Sequence, residues 1–350
     1  MADKLDQFII ETNNSAPFYK RRLFWIISFS IIILITVIII IIVVTTNSNE
    51  KESINNQNPQ KEKLNNMNND NDNDNDNNNY FSQYIPYICL DENKIPSNKC
   101  IGGWFYHTDE YTPEYNAKFA KSKNWNYVLL SANIKNKNII NNINEFRKQD
   151  ISVHFMTLQD TSYLDNPEKV YDKIKDILLF VKENNLDIQG IHIDCEPHAK
   201  QEWKDGDSEV RTKIFQNYTK ILENCRKAIN DYNFNIAFSA AVGWFYSSKT
   251  KKGEIIGGRG YELVNKDRLD FIIPMVYDGA GGTIRNIIKH TDDYINDNAN
   301  TVIGLAVRDY NENLDDMIEQ VFENRENSNY FYGVAIYSNH YYSDWGEEIN

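Results

Sequence analysis

Residues Asp187 to His198 read D-I-Q-G-I-H-I-D-C-E-P-H, and the reading of this stretch decides the fold. Gly190, His192, Asp194 and Glu196 share one parity, and Ile191, Ile193 and Cys195 share the other. Side chains of a β-strand alternate between faces, so one face is apolar and the other ends in two carboxylates. Pro197 has no N–H to give a sheet ladder, so the strand stops just after Glu196. Unpaired buried carboxylates are costly. A pair delivered to one strand end is therefore either a structural salt-bridge site or a site arranged for chemistry.

Similar apolar runs lie on both sides of this one. They occupy 101–106, 125–131 and 151–158 before it, and 234–241, 269–276, 301–307 and 330–337 after it, so the run at 190–194 is the fourth of eight. Helical periodicity fills most of the gaps. Asn166 before Pro167 suits an N-cap followed by a favoured first-turn proline, and Val170, Ile174, Ile177 and Val181 then recur at helical spacing. Ile214, Tyr218, Ile221, Cys225 and Ile229 form a second stripe, and weaker helical patterns cover 138–146, 283–295 and 313–323. Strands alternating with helices in this number predict an α/β fold, a (β/α)8 TIM barrel over residues 80–350. An open doubly wound sheet would carry a glycine-rich phosphate turn after its first strand. Here Gly102-Gly103 fall inside the strand and no GxGxxG follows. Too little chain remains after the last strand for a full eighth helix.

The first 79 residues are of another kind. The run from Leu23 to Val44 is apolar apart from Ser28, Ser30 and Thr36. At helical rise it spans roughly 33 Å, enough for a bilayer core of about 30 Å. Lys20, Arg21 and Arg22 precede it, and no charge follows directly. The positive flank predicts a cytosolic tail over 1–22, a single transmembrane signal-anchor helix over 23–44, and a type II topology with the barrel lumenal or extracellular. Residues 45–79 are dominated by Asn and Asp. With so little apolar surface to offset the entropy of folding, they predict a disordered low-complexity linker.

The 50 acidic against 37 basic residues leave a net charge of −13. That balance excludes a protein built to grip nucleic-acid phosphates. Four cysteines allow three complete pairings in an oxidising compartment. Cys89 with Cys100 is favoured, because it closes a short loop at the entrance to the domain. Asn217-Tyr218-Thr219 is an Asn-x-Thr sequon, which makes Asn217 a glycan acceptor if accessible.

In β/α barrels the active site is built at the carboxyl ends of the strands. Those ends carry Thr157 and Asp160, then His192, Asp194 and Glu196, then Trp244-Phe245-Tyr246. The later strands add Tyr277 and Asp278, Arg308 and Asp309, and Tyr337 through His340. Carboxylates beside aromatic rings suit sugar hydrolysis, which needs an acid for the leaving oxygen and flat faces for pyranose rings. Asp160, His192, Trp244, Tyr246, Asp278, Arg308 and Tyr337 are accordingly expected to bind substrate.

At these residues the chain resembles family 18 glycoside hydrolases, the chitinase-like barrels. GIHIDCEP is similar to that family's fourth-strand pattern DGxDxDxE, with Asp194 and Glu196 on its last two acids and Gln189 and His192 in place of the first two. MVYD at Met275 to Asp278 resembles the sixth-strand M-x-Y-D, and GVAIY at Gly333 to Tyr337 resembles an eighth-strand run that ends in Trp in the family. The third-strand S-x-G-G is absent; VHFMTLQD stands there. The resemblance covers the barrel only. It implies that Glu196 is the general acid, that Asp194 orients an N-acetyl group attacking the anomeric carbon, and that Tyr277 bonds to that group. It implies no cofactor, and a carbohydrate as partner.

Two other classes stay open. A glycan-binding barrel without catalysis would keep the aromatic platform. A metal-dependent hydrolase could draw on His154, His192, Asp194 and Glu196, although no metal site is expected, since no HxH pair is present.

Overall fold

The computed structural model describes residues 87–349 apart from 92, 132, 137, 311 and 312. The expected cytosolic tail, transmembrane span and Asn-rich linker lie outside the described residues. Among the described residues, no helix is long and apolar enough to cross a membrane.

The chain runs β1 (Cys100–Phe105), α1 (Pro113–Ser122), β2 (Tyr127–Ser131), α2 (Asn138–Lys148), β3 (Ser152–Thr157), α3 (Val170–Glu183) and β4 (Gly190–Ile193). It continues through α4 (Gln201–Asp205), α5 (Ser208–Asp231), β5 (Ala237–Gly243), α6 (Tyr246–Lys251), α7 (Gly260–Leu263), β6 (Phe271–Met275) and α8 (Ile284–Asn296). The last elements are β7 (Thr301–Ala306), α9 (Val307–Tyr310), α10 (Leu314–Arg325) and β8 (Phe331–Tyr337). All eight strands are parallel, each pairs with its sequence neighbour, and β8 returns to β1 through Cys100–Gly333 and Gly103–Ile336 pairing. The sheet is therefore a closed (β/α)8 barrel.

Strand parity divides the core in two. Outward residues such as Phe155, Ile191, Ile193 and Cys195 pack under the helices, joined by Ile174, Ile177, Phe215 and Leu222. Inward residues, among them Trp104, Tyr127, Leu129, Met156, Phe271 and Ile273, fill the barrel itself. Each such fully buried side chain contributes roughly 1.5–3 kcal/mol. Gly190 serves this interior: a Cβ there would come within 2.1 Å of His154 Nδ1, so glycine makes room for the imidazole.

The amino-terminal end of the barrel is covered by the segment before β1. Cys89 and Cys100 are joined by a disulfide, with Cα atoms 5.7 Å apart. The carbonyl of Ile88 lies 2.8 Å from His154 Nε2; since a carbonyl only accepts, that nitrogen donates. Tyr87 and Ile88 line a cavity of about 350 Å³ at this end, together with Asp270, Phe271 and Tyr332.

Locally, one helix adds to the expected pattern, one cap is corrected, and the full eighth helix is missing as expected. Helix α1 carries no obvious apolar stripe, because three of its four buried residues are Asn116, Ala117 and Ala120; Thr112 starts it by accepting from the Tyr115 N–H. Asn166 makes no capping bond: Pro167–Lys169 is a 3-10 turn and the α-helix starts only at Val170. The turn is held from outside, as Asn224 on α5 donates to the Pro167 carbonyl at 2.9 Å. In place of an eighth helix stands one 3-10 turn, Asn339–Tyr341. Trp345 fills the space, its ring 5.5 Å from Phe105 and 4.7 Å from Phe119.

Candidate active site

β4 carries its ladder one residue past Ile193, where Asp194 N–H donates to the Thr157 carbonyl at 3.2 Å. Glu196 follows, and Pro197 opens a 3-10 turn that ends the strand direction. Both carboxylates thus face a cavity of about 350 Å³ at the carboxyl end of the barrel. Trp244, Tyr277, Asp278, Arg308 and Tyr337 line it with them.

The floor of this cavity is aromatic. Tyr277 and Tyr337 stack, their rings 5.4 Å apart and 16° from parallel. Trp104, fully inside the barrel, meets both edge-on at 6.5 and 5.9 Å, and meets His192 at 6.0 Å. On the rim, Asp278 and Arg308 form an ion pair, and the guanidinium sits 5.7 Å from the centre of the Tyr337 ring. Asp278 stands at φ 55, in the left-handed region.

Burial raises both carboxyl groups. Asp194 is pushed up to about 6 by desolvation, against a hydrogen bond from Tyr106 that lowers it. Tyr106 Oη donates to Asp194 Oδ2 at 3.2 Å. Glu196 is pushed up to about 7, by desolvation first and then by the charges of Asp194 and Asp278. Two carboxylates in one partly desolvated site resist double ionisation, so the pair holds one proton near neutrality. Tyr277 is held well above its ordinary value by burial and by the same two carboxylates, so it is a neutral phenol able to donate.

Three residues expected at the site lie elsewhere. His192 is fully buried below the cavity, with Nδ1 2.9 Å from Ser239 Oγ; burial lowers it to about 3, so it is neutral. Tyr246 is fully buried, because the strand ends at Gly243 and helix α6 turns the ring into the core; its hydroxyl lies 2.7 Å from His198 Nδ1. Asp160 faces away and caps the 3-10 turn Thr161–Asp165, accepting from the Ser162 N–H at 2.7 Å. Leu158, at φ 53, ends the strand alternation just before it. Among the described residues, no three His, Cys, Asp or Glu side chains come together to hold a metal ion.

Sequence reasoning missed Tyr106, Trp104 and His198. The signal for the first two was the parity of β1, which sends Gly102, Trp104 and Tyr106 inward. His198 stands two residues beyond Glu196, with Nε2 3.3 Å from Glu196 Oε2. Away from the site, Asn217 donates its amide to the Leu164 carbonyl at 2.8 Å, and Thr219 is buried.

No protein-family model matches the chain, and no curated protein matches it. Solved structures do. A β-glucuronidase from Bacteroides uniformis aligns with a TM-score of 0.50 at 12% identity, over 70% of this chain and 31% of that one. A β-mannanase from Thermomonospora fusca aligns at 0.48 and 10% identity, over 72% and 84%. A GH18 chitinase from Pseudoalteromonas aurantia aligns at 0.46 and 14% identity, over 67% and 92%. At these identities the likeness speaks to the fold alone, the (β/α)8 barrel already described.

Proposed function

We propose that the protein is a membrane-anchored glycosidase, held by Leu23 to Val44 with its barrel lumenal or extracellular, and that Glu196 is its proton donor. The observation that carries this reading is the convergence of two carboxylates on one cavity, Asp194 raised to about 6 and Glu196 to about 7. A general acid works best with its proton balanced near working pH, and environments that separate two carboxyl groups mark the acid from its partner. Glu196 protonates the glycosidic oxygen as the bond from that oxygen to the anomeric carbon breaks. Asp194, the more acidic of the two, is ionised at that moment and opposes the positive charge developing on the ring. Tyr277, neutral, offers a hydrogen bond to the sugar, and the Tyr337 ring offers a face to it. Water completes the reaction and returns the proton to Glu196. If the substrate carries an N-acetyl group, as the family 18 resemblance implies, Asp194 orients that group as the internal nucleophile.

The test is a panel of chromogenic glycosides and oligosaccharides offered to the full-length chain, with Glu196→Gln as control. Turnover by the parent that falls at least about 100-fold in the control supports the reading. Glycan binding with no turnover in either protein would mark the barrel as a binding module instead.

A further inference from the structure

Behind Glu196 lies a pair of residues to which the proposed mechanism gives no part. His198 Nε2 is 3.3 Å from Glu196 Oε2, and its Nδ1 is 2.7 Å from the hydroxyl of Tyr246. Tyr246 is fully buried. Its phenolic hydrogen needs an acceptor, because a buried donor left unsatisfied bears its whole desolvation penalty. Among the described residues, the only hydrogen bond of this hydroxyl to a side chain is the one to His198 Nδ1.

The consequence is a fixed tautomer. If Tyr246 donates to Nδ1, that nitrogen is unprotonated, and a neutral imidazole then carries its proton on Nε2. The ring is neutral: burial, and then the charge of Lys204, lower it to about 4. The protonated Nε2 therefore stands 3.3 Å from Glu196 Oε2. The separation is long for a hydrogen bond, but catalytic bonds are often loose in an empty site and tighten when substrate binds.

We propose that His198 is a positioning residue for Glu196, donating from Nε2 to Oε2 so that the carboxyl proton resides on Oε1, and that Tyr246 sets the tautomer that makes this possible. The proposal rests on Glu196 being the proton donor only for its use in catalysis; the hydrogen-bond relay itself is independent of any substrate. Other groups also face Glu196. Asp194 stands beside it on the same strand end, Asp278 approaches from the β6 side, and Tyr277, Tyr337 and Arg308 line the same cavity.

The experiment is a carbon-13 titration of the Glu196 side-chain carboxyl in the full-length chain, with nitrogen-15 shifts of the His198 ring recorded on the same samples. In the parent, the expected result is a protonated Nε2 and a bare Nδ1 at pH 7. His198→Leu removes the donor and should raise the Glu196 midpoint by about one pH unit. His198→Gln retains an N–H and should restore the parental value at least in part. Tyr246→Phe should move the His198 proton towards Nδ1 and raise the Glu196 midpoint in the same direction. An unchanged midpoint in a folded His198→Leu protein, or a parental ring protonated on Nδ1, overturns the proposal. Because none of these readouts needs turnover, a failed glycoside panel would count against the glycosidase reading and leave this relay standing.

Discussion

Tyr106, the residue that follows β1, donates its hydroxyl across the barrel mouth to Asp194 at the end of β4, Oη to Oδ2 at 3.2 Å. The two are 88 positions apart in sequence, and only closure of the barrel brings them together. The bond favours the ionised carboxyl and opposes the rise that burial imposes on Asp194. Tyr106→Phe should therefore raise the pH at which Asp194 ionises by about one unit. The acid limb of kcat/KM against pH, on any confirmed substrate, should move up with it.

The parental pH profile should be a narrow bell. Asp194 must lose its proton, near 6, and Glu196 must keep one, up to about 7. The two apparent values belong to the coupled pair, and activity should peak between them. A flat profile from pH 5 to 9 would show that these carboxyls do not govern the rate.

Glu196→Gln should act on stability as well as turnover. Hydrolysis is expected to fall by about 10²- to 10⁴-fold, with sugar binding retained. The folded value of Glu196 lies above its ordinary 4.5, so its contribution to stability is fully present below 4.5 and is lost as pH rises through about 7. Above pH 7 the parent holds a partly buried charge that the Gln variant lacks. Discounted for partial exposure, the difference is on the order of 1–2 kcal/mol. Tm measured at pH 8 should be a few °C higher for the variant, and the gap should close below pH 4.5.

The disulfide should matter to the fold and not to the mouth. Replacing Cys89 and Cys100 together by Ala removes a cross-link worth about 2–3 kcal/mol for a short loop. A drop of roughly 4–12 °C in Tm is expected. The Glu196 titration should be unaffected, because the cross-link sits at the opposite end of the barrel.

Asn217 should carry no glycan in the folded protein. Its amide nitrogen already donates to the Leu164 carbonyl, and attaching a sugar there would break that bond. Mass spectrometry of the tryptic peptide containing Asn217-Tyr218-Thr219 decides the matter.

The eight strands were legible because parallel strands buried on both faces read as near-continuous apolar runs, and β3, β5 and β7 are buried throughout. The placement of Asp194 was legible because parity holds as far as the ladder does, and Glu196, two residues beyond, still reaches the same cavity. Farther past the strand ends it fails. Tyr246 follows two cavity residues in sequence, yet it begins a helix and turns inward, and Asp160 comes after the left-handed Leu158 and turns away. Helix α1 escaped notice because Asn116 is buried by side-chain hydrogen bonds to Thr108 O and Asn142 Oδ1. A scan for apolar spacing has no means of seeing a polar residue satisfied in this way. Trp345 escaped for another reason: nothing local marks a tail residue as the substitute for a missing helix.

The segment that closes the amino-terminal end enters the barrel at the pole opposite Glu196. Tyr87 and Ile88 enter against the starts of β6 and β8, while Glu196 opens at the other pole. Whatever is joined ahead of Tyr87 is therefore joined at the blind pole, a full strand length from the mouth.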